Sequence, residues 1–121
     1  MCPSAGRADF PAKHMKNILF VCTQNRVRSL TAEHLFQGRN GCQTASAGIS
    51  AAARLELSED MIRWADLVVF IDRNHQDYAE EVFPEALAGK RTACLYVQDL
   101  YCYGETALKT ALEKRMKPYL L

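Results

Sequence analysis

The sequence of 121 residues lacks several features that mark particular classes of protein. It has no long hydrophobic run, and its first 16 residues carry prolines and basic side chains rather than a signal-length apolar stretch. Neither a secretory signal nor a membrane-spanning helix is therefore expected. An excess of one charge is also missing, since 15 Lys and Arg face 14 Asp and Glu. A net charge of +1 gives no general attraction to nucleic acid or to an anionic membrane. Neither is expected as a partner, and any bound anion must be held by a local site.

Paired cysteine motifs are missing as well. The five cysteines are an odd number, and none of them has C-x-x-C spacing. A disulfide framework or a zinc ribbon is therefore not expected. This usage is typical of a reduced, cytoplasmic protein with mostly buried thiols, and it leaves room for a single reactive one.

The remaining composition predicts one globular domain. Apolar residues make up 49% and charged residues 24% of the chain. At this length, that apolar content is enough to form a core without disulfides or a structural metal. The first 15 residues combine prolines, glycine and charge without periodicity. We therefore predict a disordered tail over residues 1–15 and a single domain over residues 16–121.

Apolar periodicity from Lys16 onward alternates between strand and helix. Buried strands are predicted over residues 17–22, 43–47, 66–71 and 91–97. Helices are predicted over residues 29–38, after Ser58, after Asp72 and over residues 105–117. Apolar strands that alternate with helices predict an α/β fold, a small doubly wound four-stranded parallel sheet with helices on both faces. Ligands of such sheets bind at the carboxyl ends of the strands, where the first strand-to-helix turn lies.

That first turn carries residues suited to binding an anion next to a nucleophile. It reads Cys22-Thr23-Gln24-Asn25-Arg26-Val27-Arg28-Ser29, and no other cysteine of the chain has arginine six positions later. A short turn into a helix can direct backbone N–H groups and the positive end of the helix dipole at one point. Arg28 adds a planar fork that matches two phosphate oxygens, and every such neighbour favours the thiolate form of Cys22. The turn therefore predicts a phosphate site with a sulfur nucleophile beneath it.

The same residues resemble the low-molecular-weight protein tyrosine phosphatases. The segment from Phe20 to Glu33 is similar to that family's V-C-x-G-N-x-C-R-S-P-x-A-E. Three further segments match in order, Ser46-Ala47-Gly48, the stretch Ala65 to His75, and Asp99-Leu100-Tyr101. The resemblance covers residues 16–121 and identifies the chain as a short-form member.

The resemblance implies a role for each matching residue. Cys22 would attack phosphorus to form a phosphocysteine, Arg28 would bind the phosphoryl oxygens, and Asp99 would be the general acid and base. Tyr101 would form an aromatic wall, and Ser46 would brace Asn25. The other substrate-binding residues would be Thr23, Gln24, Asn25, Arg26, Val27 and Ser29. The implied substrate is a phosphorylated protein, through phosphotyrosine, or a small aryl phosphate. No cofactor and no metal are implied.

Several residues depart from the family pattern. Gln24 stands for a glycine, Leu30 and Leu100 for prolines, and Val27 for the second cysteine of the loop. The aromatic residue expected just after Ser46-Ala47-Gly48 is missing, which predicts a trimmed recognition surface. His75 is interpreted as a helix-start residue that could brace the loop.

Two alternatives remain open from the sequence. One is an arsenate reductase on the same scaffold, although Cys94 and Cys102 lie outside the region where such enzymes place their relay cysteines. The other is a phosphate-binding module with weak catalysis, which the three departures at Gln24, Leu30 and Leu100 would permit.

Overall fold

The computed structural model describes residues 16–120 and contains four strands and five α-helices in that range. The strands are β1 (Asn17–Cys22), β2 (Gln43–Gly48), β3 (Leu67–Phe70) and β4 (Arg91–Cys94). The helices are α1 (Arg28–Phe36), α2 (Glu59–Trp64), α3 (Arg73–Val82), α4 (Pro84–Leu87) and α5 (Thr106–Met116). Two short 3₁₀ turns, Arg39–Gly41 and Lys117–Tyr119, follow α1 and α5. The predicted tail lies outside the described residues.

The strands form one parallel sheet in the order β2-β1-β3-β4. Cys22 pairs in register with Gly48, and Val21 pairs with Phe70. The chain therefore winds from β1 to one side and then crosses to the other, so the switch point lies between β1 and β3. This confirms the predicted α/β fold. The carboxyl ends of all four strands lie at one edge of the sheet, and the loop that follows each strand begins there.

The core has two halves, one on each face of the sheet, because side chains alternate along β1. Ile18, Phe20 and Cys22 point toward α1 and α5, whereas Leu19 and Val21 point toward α2 and α3. Phe20 stacks on Phe36 with ring centroids 5.8 Å apart. A strand buried on both faces has to be apolar throughout, which explains the continuous run at residues 18–22.

The sequence extended the last strand too far and missed one short helix. The last strand was predicted to reach Val97, but β4 ends at Cys94 because Tyr96 adopts a left-handed φ of 55° that interrupts an extended chain. The short helix α4, which begins at Pro84, was not predicted. Proline suits the first helical position because an N–H at that position would have no hydrogen-bond partner within the helix. Within residues 16–120, no helix is long and apolar enough to cross a membrane.

Candidate active site

The first turn, residues 22–29, is held from outside by a segment that follows β2. This bracing segment, residues 49–54, donates backbone hydrogen bonds to three successive carbonyls of the first turn. Ile49 N binds Cys22 O at 2.9 Å, Ser50 N binds Thr23 O at 3.1 Å, and Arg54 N binds Gln24 O at 2.9 Å. The Arg54 side chain adds a fourth bond, from Nε to Asn25 O at 3.2 Å.

This bracing turns the N–H groups of the first turn inward. Across a planar trans peptide, the C=O of one residue points opposite to the N–H of the next. Because the carbonyls of residues 22–25 point outward, the N–H groups of residues 23–26 face the concave side. Asn25 completes the curve with a left-handed φ of 58°, a conformation in which asparagine is enriched. The result is a nest of backbone donors suited to an anion.

Cys22 lies at the base of that nest, and two donors are directed at its sulfur. Asn25 N donates to Cys22 Sγ at 3.3 Å, and Ser29 Oγ lies 2.9 Å from the same sulfur. Asn25 Nδ2 donates to Ser29 Oγ at 2.8 Å, so the Ser29 hydroxyl proton is left to point at Cys22. Both contacts stabilise negative charge on the sulfur, and Ser29 and Asn25 are fully buried behind it.

Arg28 brings a positive charge to the same cavity. It is the first residue of α1, it is 8% exposed, and its Nη1 donates to Val97 O at 3.0 Å. Its Nε lies 3.9 Å from Asp99 Oδ1, whose side chain is 73% exposed. The Asp99 carboxylate thus lies at the open side of the cavity, while the Arg28 guanidinium is held by its hydrogen bond to Val97, in the loop that follows β4.

His75 ties the first turn to α3 across the switch point. Its ring is fully buried, and Asp72 N donates to its Nδ1 at 3.0 Å. The proton must therefore be on Nε2, which donates to Thr23 Oγ1 at 2.9 Å. Burial, and next the positive charge of Arg28, lower the pKa of His75 to about 4. His75 is thus a neutral hydrogen-bond donor at physiological pH.

The cavity above Cys22 measures about 200 Å³ and gathers most of the predicted residues. It is lined by Cys22, Thr23, Gln24, Arg26, Val27, Arg28 and Asp99. Asn25 and Ser29 lie beneath this lining rather than in it. The arrangement can hold a phosphoryl group against a sulfur nucleophile, with a carboxyl group on the opposite, solvent side.

The structure places two of the predicted residues elsewhere. The Ser46 hydroxyl donates to the Glu33 carboxylate and not to Asn25, so the expected brace is not formed. Asn25 Oδ1 is left without a hydrogen-bond partner among residues 16–120. Tyr101 packs against the core cluster and lines a separate cavity beside Arg115, so it does not form a wall above Cys22.

Sequence reasoning missed the role of residues 49–54 as a brace for the first turn. Its bonds to the first turn are mostly between backbone atoms, which leave no side-chain pattern. One signal was available at Gly48, where an added Cβ would lie 2.5 Å from Thr23 O and 2.6 Å from Ala53 Cβ. A glycine at that point indicates two chains in close approach.

The chain is similar to known phosphatases in its fold and in part of its sequence. Residues 17–62 match the family model described as low molecular weight phosphotyrosine protein phosphatase. The YwlE arginine phosphatase from Geobacillus stearothermophilus is 26% identical and has a TM-score of 0.67, over 87% of this chain and 90% of that one. The Escherichia coli K30 tyrosine phosphatase Wzb, solved with phosphate, is 20% identical with a TM-score of 0.69, over 87% and 96%. The tyrosine phosphatase AmsI from Erwinia amylovora is 22% identical with a TM-score of 0.69, over 87% and 91%. No match was found among curated protein sequences.

Proposed function

We propose that this chain is a cysteine-dependent phosphatase of the low-molecular-weight phosphotyrosine phosphatase family, and that it hydrolyses phosphomonoesters, protein phosphotyrosine among them, through a phosphocysteine on Cys22. The observation that carries the proposal is the nest itself. Inward N–H groups, Arg28 and a sulfur with two directed donors meet in one cavity. Each of these stabilises negative charge, either on a phosphoryl group or on the sulfur that attacks it.

In the first step the Cys22 thiolate attacks phosphorus. An S–P bond forms while the bond from phosphorus to the ester oxygen breaks, and the departing oxygen takes a proton from the carboxylic acid of Asp99. Arg28 and the inward N–H groups hold the three remaining oxygens as charge spreads over them. The exposed position of Asp99, on the solvent side of the cavity, suits a group that meets the leaving oxygen.

In the second step water releases the phosphoryl group. The Asp99 carboxylate accepts a proton from the attacking water, an O–P bond forms, and the S–P bond breaks. Inorganic phosphate leaves and the Cys22 thiolate is restored. One carboxyl group thus acts first as acid and then as base.

The arginine at the cavity rim supports the choice of an aryl phosphate as substrate. A structural relative is named an arginine phosphatase. A phosphoarginine substrate would bring a guanidinium, cationic when protonated, into the cavity that Arg26 lines in this chain. Like charges at such a site repel, which favours an aryl phosphate over phosphoarginine. We also propose a cytoplasmic location, since a reducing compartment keeps free thiols such as Cys22 from forming disulfides.

Hydrolysis of an aryl phosphate tests the proposal. We expect steady turnover by the wild type and by Cys102→Ser, which removes an exposed thiol outside the cavity, and none by Cys22→Ser. Equal rates for wild type and Cys22→Ser would contradict it. If phosphate raised the melting temperature while wild-type turnover stayed undetectable, the weak phosphate-binding module would be the better description.

A further inference from the structure

Two arginines line the cavity above Cys22, and they differ in what they can do. Arg28 is buried and is fixed between Val97 and Asp99. Arg26 is exposed, and its Nη2 donates to Ala52 O of the bracing segment at 3.0 Å. One guanidinium is therefore inside the nest, and the other stands at its rim with a fixed orientation.

The charge at the rim is not balanced by neighbours. Within residues 16–120, neither Arg26 nor Arg54 has a carboxylate at ion-pair distance. Asp99 is the one acidic residue of the cavity lining, and it lies beside Arg28. The rim is thus positive although the whole chain has a net charge of only +1.

A purely structural role does not account for Arg26. Its bond to Ala52 O helps to join the first turn to the bracing segment. That junction is already made by backbone bonds from Ile49, Ser50 and Arg54. A neutral amide side chain could supply one more donor, whereas the positive charge and the remaining N–H groups of Arg26 have no function in the junction.

We propose, resting on the proposed phosphatase function, that Arg26 selects substrates with negative charge beside the phosphoryl group, namely phosphotyrosine flanked by Asp or Glu. The nest and Arg28 bind the phosphoryl group itself. Arg26 stands beyond them, where the part of the substrate next to the phosphotyrosine must pass. Its fork is matched to a carboxylate, and its charge opposes a basic flank.

The test uses two phosphotyrosine peptides of equal length that differ only in having Glu or Lys on both sides of the tyrosine. For the wild type at low salt, we expect kcat/KM for the acidic peptide to exceed that for the basic one by about fivefold to tenfold. Arg26→Gln removes the charge and keeps a polar side chain, and it should lower this ratio by about twofold to fivefold. Arg26→Lys keeps the charge and should retain most of the ratio.

Arg91→Gln is the matched control, because Arg91 is an exposed arginine at the amino end of β4, whereas the cavity lies at the carboxyl ends of the strands. It should leave the ratio unchanged, and added salt should shrink the wild-type ratio toward one. A ratio near one in the wild type, or an equal loss in Arg26→Gln and Arg91→Gln, would overturn the inference.

Failure of the proposed function can be told apart from failure of this inference. The ratio of dissociation constants for the two peptides, measured on Cys22→Ser with and without Arg26→Gln, requires no turnover. Preference for the acidic peptide that depends on Arg26 supports the inference even where the wild type is inactive. Equal binding of both peptides, or no binding of either, refutes it while leaving the aryl phosphate assay to judge the phosphatase.

Discussion

At the scale of single residues, His75 couples the stability of the fold to pH. Its pKa is about 4 in the folded protein, against 6.5 for an ordinary histidine. Between these values the unfolded chain takes up a proton that the folded chain refuses, so stability falls as pH drops from 6.5 to 4. The full loss attributable to this one group is about 3 kcal/mol, and well above pH 6.5 it contributes no slope.

Denaturant unfolding of wild type and His75→Gln at several pH values checks this. We expect the difference in unfolding free energy between the two to change steadily between pH 6.5 and 4 and to be flat from pH 7 to 8. Since glutamine can still donate to Thr23, the comparison isolates the titration from the hydrogen bond. Parallel curves through the acidic window would contradict the assignment.

Asp99 is the residue whose role depends most on the leaving group. If it protonates the ester oxygen, Asp99→Asn should lower kcat/KM for phenyl phosphate by about a hundredfold to ten-thousandfold. The loss in kcat/KM should be much smaller with an activated ester such as a nitrophenyl phosphate, whose leaving oxygen needs no proton. Because kcat/KM does not include the second step, its values on both esters provide the measurement, and equal losses would remove Asp99 from the acid role.

At the scale of elements, the first turn depends on the bracing segment more than on its own side chains. A Cβ at Gly48 would meet Thr23 O and Ala53 Cβ at distances that require something to move. We expect Gly48→Ala to cost about 1–3 kcal/mol of stability and to lower the activity of the folded protein, because the displaced atom belongs to the first turn.

Gly38→Ala is the matched control for that change. Gly38 has a φ of +83° and nothing within 4 Å of the added Cβ. It should cost about 1 kcal/mol through backbone strain alone and leave activity per folded molecule unchanged. Thermal melts combined with activity measurements distinguish the two, and an active Gly48→Ala protein would argue against the brace.

The sequence predicted elements well where burial dictated composition, and poorly where backbone geometry decided. Strand β1 and the Cys22-to-Ser29 turn are readable because continuous apolar residues and a special Cys–Arg spacing leave a pattern. The end of β4 could not be predicted, since nothing in the sequence Leu95-Tyr96-Val97 indicates that Tyr96 adopts a left-handed φ. The Ser46–Glu33 bond could not be distinguished from the expected Ser46–Asn25 bond without coordinates.

At the scale of the whole molecule, one short segment after β2 both supports the first turn and holds an arginine at the cavity rim. The segment after β2 reads in the sequence as a trimmed recognition surface, but it holds four carbonyls of the first turn and carries Arg54. Its Ala52 carbonyl also anchors Arg26 at the rim. Support of the proposed phosphate site and positive charge at its rim therefore come from the same six residues, 49–54, and their partners.

The mass of the intact protein, acid-quenched during turnover of an activated aryl phosphate, tests the central account most directly. In Asp99→Asn the first step needs no acid with such an ester, whereas hydrolysis of the S–P bond lacks its base. We therefore predict that this variant accumulates a species heavier by one phosphoryl group, located on the peptide that contains Cys22. Turnover with no such species in Asp99→Asn, or a phosphoryl group found on another residue, would contradict the account.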